Sequence, residues 1–312
     1  MNTACRIDPI PMPTPNPAPL RDLVKPATVW SLARETFASW SADYASSMGA
    51  ALAYYTMFSV APLLLIVISV AGLVFGEQAA RGEIMEQLES LMGADGAHAV
   101  QSLLASVNHP AAGIWATLFG VGALVVGATT VFGELQNALD RIWRAPDRPG
   151  PSGAWRWLRT RLLSLGMIMG IGFLLMVSLV ASAMLAAVQR WFGRYVDLGG
   201  LTALIDFGVS FAFITVAFAM IYKLMPRVRV EWRDVWIGAV VTALLFTVGK
   251  MAIGLYIGRS AVASTFGAAA SLVAMIVWVY WSAQIFLLGA EFMWVYARRC
   301  GSLRDHVEAQ AV

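Results

Sequence analysis

The sequence predicts an all-α fold: a polytopic membrane helix bundle with six transmembrane helices and both termini cytoplasmic. Three observations carry this expectation. The first is composition. Of 312 residues, 59% are hydrophobic and 13% charged, with a mean hydropathy of +0.68. Soluble domains carry about 25% charged residues, and a soluble core of this size cannot hide so much apolar surface. The second is segmentation. A span needs roughly 20 apolar residues to cross about 30 Å of hydrocarbon. Six stretches qualify: Met48–Phe75, Gly113–Phe132, Leu162–Val188, Leu201–Met225, Val235–Ile257 and Ala270–Tyr296.

The third is charge asymmetry. Lys and Arg accumulate in cytoplasmic loops. Seventeen fall in the N-terminal region, in 133–161, around "YKLMPRVRVEWRD" and in the C-terminal tail. Four (Arg81, Arg190, Arg194, Arg259) fall on the opposite side, and Lys250 lies inside the fifth span. The net charge of +3 is too small for a nucleic-acid footprint.

Around the spans, residues 1–28 read as a proline-rich cytoplasmic tail, 29–297 as the membrane domain and 298–312 as a second tail. "DPIPMPTPNPAPL" is proline-rich where a signal peptide is apolar. "VWSLARETFASWSADYASS" places Trp30, Phe37 and Trp40 among polar residues, as a helix resting in the interface does. Trp143, Trp155, Trp157 and Trp232 fall at expected span edges. The long outer loop, 76–112, spaces Ile84, Leu88 and Leu91, then Val100, Leu103, Leu104 and Val107, as two short amphipathic helices do. Its acidic residues are expected on a solvated face. Cys5 and Cys300 form no CxxC pair and read as thiols.

Polar groups inside spans are costly and point to function. In the sixth span Tyr280, Gln284 and Glu291 fall on one stripe at 100° per residue. At the end of the second, Thr130, Glu134 and Asn137 share a face. In the first, Tyr55, Thr56 and Ser59 precede Pro62, whose missing N–H interrupts the helix ladder at Phe58. Together these ten residues are the candidates for a transport cavity open to the cytoplasm; a simple packing kink is the alternative at Pro62. Asp206 and Lys250 lie about 7 and 10 Å below the outer surface at 1.5 Å per residue. They are an ion-pair candidate, either a structural clasp or an outer gate. Small residues in "IGRSAVASTFGAAAS" and "GVGALVVGATT" allow close helix approach.

No metal or other cofactor is expected. The three histidines (His98, His109, His306) have no ligand spacing between them, and no GxSxG, HExxH or P-loop occurs. Without an ATP motif, transport would be passive, ion-coupled or partner-driven. Membrane lipids and a small solute or ion are the expected partners, with no nucleic acid; a homo-oligomer stays open.

Several long segments carry a family resemblance: "LAYYTMFSVAPLLL", "FGELQNALDRIWR", "YKLMPRVRVEWRDVWIGAVVTALLFTVGK" and "LYIGRSAVASTFGAAASLVAMIVWVYWSAQIFLLGAE". The chain resembles the YihY/BrkB family of bacterial inner-membrane proteins from about Trp30 to Ala297. The resemblance implies six spans and an inner-membrane location. It also brings an old ribonuclease BN label, which the residues do not support, and a virulence role for one branch. Near Ser264–Phe266 the sequence departs from the family's richer tyrosine and serine pattern. A carrier or exporter of ions, small solutes or lipid-like molecules fits the polar residues; an envelope scaffold without transport is the alternative.

Overall fold

A computed structural model describes residues 26–76, 130–146, 199–259 and 270–303, with short stretches between 78 and 104. The elements among them are helical: α1 (Pro26–Ala42), α2 (Ala45–Phe75), α3 (residues 130–142), α4 (Gly199–Leu224), α5 (Trp232–Arg259) and α6 (Ala270–Arg299). The bounds of α4, α5 and α6 follow the fourth, fifth and sixth expected spans to within a few residues. These three helices are long and apolar enough to cross a membrane. Helix α2 coincides with the first expected span and contains no charged residue. The third span, nearly all of the second, and the small-residue stretches at 121–129 and 260–269 lie outside the described residues.

Helix α6 is the hub, packing against α1, α2 and α5, while α5 also packs against α4. In water such contacts would follow from the hydrophobic effect. In lipid they rest on close packing and on the few polar groups that must find partners. An aromatic stack fills the centre, with Tyr222 and Phe286 ring centroids 4.9 Å apart and Phe218 against both. Tyr222, fully buried, donates its hydroxyl proton to the Phe286 carbonyl at 2.8 Å. Its oxygen also lies 3.0 Å from Thr242 Oγ1, which donates to the Gly238 carbonyl. One hydroxyl pair thus ties α4, α5 and α6 together. On the far side of α5, Trp236, Val240, Leu244, Val248, Met251 and Leu255 are exposed at helical spacing, as a lipid-facing surface requires.

The first-turn carboxylate of α5, Asp234, is buried and accepts two hydrogen bonds from Ser302, from the backbone N–H at 3.2 Å and the hydroxyl at 2.6 Å. It fastens the chain just after α6. Asp234→Ala is expected to cost about 1 kcal/mol, since half-buried Ser302 loses its acceptor. Limited proteolysis checks this: cleavage near residues 300–303 should accelerate in the variant.

Three expectations are adjusted. Helix α1 is distinct but not merely interfacial. Val29, Trp30 and Phe37 are exposed on one face, whereas Leu32, Thr36 and Ser39 are buried on the other. Trp143 is buried in the core and is no edge anchor, while Trp232 is half exposed as an anchor should be; Trp155 and Trp157 lie outside the described residues. The described parts of the outer loop are helical, and one face of them packs into the bundle while the other stays exposed. Val100 and Leu104 are buried with Ile68 and Met275, and Ile84 and Leu88 pack against the same cluster. Capping the ends of α2 and α6 buries more apolar area than floating at the interface would. Glu86 and Glu89 are exposed, as the solvated-face reading requires.

Candidate functional site

Helix α6 carries the stripe of Tyr280, Gln284 and Glu291, but its members meet different neighbours. Gln284 reaches α2: its Nε2 donates to the Ser46 carbonyl at 3.3 Å and lies where a side chain on Gly49 would stand. Tyr280 is half-buried further along the helix. Glu291 lies about 10 Å beyond Gln284 at 1.5 Å per residue. It is completely buried. Its carboxyl faces the Ser39 hydroxyl and the Asp43 carboxylate, with Arg144 also acting on it. Neither Glu291 oxygen makes a hydrogen bond of full geometry, and the Ser39 hydroxyl and Asp43 Oδ2 make none either.

Two chain turns deliver these partners. Between α1 and α2, Tyr44 adopts a left-handed backbone with φ 55°. At the end of α3, Arg144 does the same with φ 49°. There the Ala145 N–H bonds the Asp140 carbonyl and the Arg144 N–H bonds the Arg141 carbonyl. That is a Schellman ending with arginine where glycine is favoured. Each left-handed non-glycine residue costs roughly 1 kcal/mol. Such cost is tolerated where a side chain must stand in one place. Arg144 spans the gap: its guanidinium nitrogen is 3.7 Å from Asp43 Oδ2, and its Cζ lies 4.8 Å from the Trp294 ring centroid.

The periphery closes with paired charges. Arg299 forms an ion pair with Glu35 and donates to Ser31 Oγ at 3.1 Å, joining α6 to α1. Asp140 accepts the Arg227 N–H at 2.8 Å and faces its guanidinium at 3.2 Å, joining α3 to the α4–α5 turn. Burial lifts the Asp140 carboxyl above its ordinary range, and Arg227 partly offsets that. Gln136 donates to the Met225 carbonyl beside it.

Among the described residues, several buried side-chain nitrogen or oxygen atoms outside the ion pairs lack a hydrogen-bond partner. All belong to three places: α1, the end of α3, and the second half of α6. Native interiors leave only a few such atoms per hundred residues, scattered. Those of Ser39 and Glu291, with the Asp43 carboxylate, meet in one buried polar cluster, the Glu291 chamber, in an otherwise apolar bundle.

The other candidates do not join it. Ser59 is buried, yet its hydroxyl donates back to the Tyr55 and Thr56 carbonyls of its own helix. Tyr55 and Thr56 are half-buried, and Tyr55 meets Tyr54 edge-on. Helix α2 runs without interruption through Pro62. The proline removes one ladder bond, and the helix continues past it. Glu134 is half-buried, Asn137 is exposed and Thr130 is half-buried at the start of the described part of α3. Lys250 is half-buried in α5, while the Asp206 side chain lies outside the described residues, so their pairing is not placed. Of the expected residues, Glu291 is the one at the chamber's centre. Thr36, Ser39, Asp43 and Arg144 were not expected there. A signal existed for the first three: in "ETFASWSAD" they repeat at i, i+3 and i+7, a polar face on a helix otherwise read as interfacial.

The apolar helices, the lipid-facing stripe on α5 and a buried polar chamber define an all-helical membrane protein. A family model described as virulence factor BrkB matches residues 36–311. The chain belongs to that family. Similar proteins include a UPF0761 membrane protein of Alkalilimnicola ehrlichii, 32% identical over 78% of this chain and 53% of the relative. Another, from Pseudomonas aeruginosa, is 29% identical over 80% of this chain and 58% of its own. A third, from Ralstonia nicotianae, is 28% identical over 80% of this chain and 54% of its own. The chain thus spans little more than half the length of these relatives. None of the three names carries an enzymatic activity. No solved structure matches.

Proposed function

We propose that this protein is a bacterial inner-membrane carrier or exporter, not driven by ATP, that moves an ion, a small solute or a lipid-like molecule. Both termini face the cytoplasm on this reading, which puts the Glu291 chamber in the cytoplasmic half of the membrane. The observation that supports it best is Glu291 itself, wholly buried, with neither oxygen fully hydrogen-bonded. A carboxyl in that setting costs several kcal/mol unless something compensates it. An ionisable residue inside a membrane bundle is a mark of ion or solute pathways. Membrane lipids are partners by location, and self-association of the exposed α5 face is compatible with the reading.

The scaffold alternative draws on the other polar groups. Ser59, Tyr222, Thr242 and Asp234 are satisfied within the bundle and serve packing. The two readings separate in proteoliposomes. Purified protein is tested against monovalent cations, a small neutral osmolyte and a labelled phospholipid. The carrier reading expects movement of one class above protein-free vesicles, and its loss in Glu291→Gln. A folded wild type that moves none of them leaves the scaffold.

A further inference from the structure

The charges around Glu291 do not balance. Glu35 is matched by Arg299, and Asp140 by Arg227. Arg298 on the same helix lies over the Trp294 ring, its Cζ 4.7 Å from the centroid. Helices α2 and α5 also pack against α6, and the charged groups that act on Glu291 are Asp43 from the α1–α2 junction and Arg144 from the end of α3. Two carboxylates therefore face one guanidinium, and that guanidinium leans to Asp43 with 47% of its side chain exposed. With both carboxyls ionised, one negative charge is left over at a residue that is 0% exposed.

Leaving it bare is expensive in a medium that solvates charge poorly. The remedy the geometry offers is a single positive charge. The oxygens without a hydrogen bond of full geometry here are both of Glu291, Oδ2 of Asp43 and the Ser39 hydroxyl, with Thr36 Oγ1 one turn away. Oxygen sets of this kind take hard cations. A divalent ion would overcompensate the one spare charge. Among the described residues no group of three or more His, Cys, Asp or Glu stands together to hold one.

We propose that Glu291, Asp43 and Ser39 form a binding site for one small monovalent cation, a proton or a sodium ion, with Arg144 as the competing counter-charge. The site rests on the carrier reading above and gives it a coupling ion. When the cation is present, Glu291 and Asp43 share it. When it leaves, Arg144 is, among the described residues, the positive group that acts on Glu291 and pairs with Asp43. Occupancy of the site is then linked to the position of α1 and of the α3 end against α6.

The test uses the full chain in lipid nanodiscs. One arm measures binding of radioactive sodium. The other follows the melting temperature against pH in choline buffer, without alkali cations, because a ligand that prefers the folded state raises apparent stability. Sodium binding in the first arm assigns sodium. A melting temperature that rises as pH falls, with no sodium binding, assigns the proton. In either case Glu291→Gln lowers affinity at least about tenfold, the equivalent of one lost charge interaction near 1.4 kcal/mol, and Asp43→Asn weakens it less. If Glu291→Gln fails to give a monodisperse protein, Asp43→Asn and Ser39→Ala decide. No response in either arm, or a response undiminished in the variants, overturns the site. Binding without movement in vesicles keeps this site and removes the carrier reading. Movement of a solute that ignores sodium and pH keeps the carrier and removes this site.

Discussion

Gly289→Ala is expected to be among the most damaging single methyl additions in the bundle. A Cβ at this position would stand 2.0 Å from Thr242 Oγ1, 2.8 Å from the Tyr222 hydroxyl and 2.9 Å from Thr242 Cβ. Both hydroxyls are fully buried and commit their bonds to Phe286 and Gly238 carbonyls. They cannot move aside without leaving those partners. Overpacking costs about 1–3 kcal/mol, and an orphaned buried hydroxyl adds about 1–3 kcal/mol. Gly254→Ala is the control, because nothing stands within 4 Å of its added Cβ. In an exposed helix position that change should stabilise by roughly 0.5–1 kcal/mol. Thermal unfolding in detergent of both variants measures the contrast. Equal melting temperatures would mean that the Tyr222–Thr242 pair is not the tie between α4, α5 and α6.

The second large effect concerns Glu291 and runs the other way. In alkaline choline buffer, where no proton or alkali cation offsets the chamber's spare charge, Glu291→Met is expected to raise stability by about 1–4 kcal/mol. Replacing a buried, incompletely paired charge by an apolar side chain of similar volume is stabilising on that scale. A residue kept for the fold would show the opposite sign. Stability gained at the expense of activity is the usual mark of a functional site held under strain. The measurement is the midpoint of chemical or thermal unfolding, paired with flux in vesicles. A loss of stability in Glu291→Met would identify the carboxyl as a structural tie.

Sequence patterns made the framework legible because hydrophobic runs of span length have few other uses. The bounds of α4, α5 and α6 follow from that pattern alone. Helix α1 was legible as a helix but not as a partner of α6. Its exposed Trp30 and Phe37 dominate the pattern, and the small polar face of Thr36, Ser39 and Asp43 says nothing of what it meets. Glu291 stood out because charge in a span is rare. Its neighbours did not, since Asp43 and Arg144 sit at helix ends, where charged residues are ordinary. Their left-handed turns carry no glycine to announce them. Gln284 and Glu291 share a helical face, yet two turns of α6 separate them, so one touches α2 and the other α1. A stripe fixes direction around a helix and leaves open which helix stands opposite.

A carrier requires that water-borne solutes reach the Glu291 chamber, which dry packing forbids. The most direct test is thiol labelling at Ser39, which is 6% exposed and faces Glu291. Ser39→Cys is made in a chain whose own cysteines have been replaced and is placed in proteoliposomes. Ser41→Cys, at an exposed position, and Leu287→Cys, at a fully buried one, set the two extremes. A membrane-impermeant thiol reagent should modify Ser39→Cys far faster than Leu287→Cys, and faster without than with the bound cation. Labelling as slow as that of Leu287→Cys under both conditions would mean that the chamber is dry packing and would remove the carrier reading.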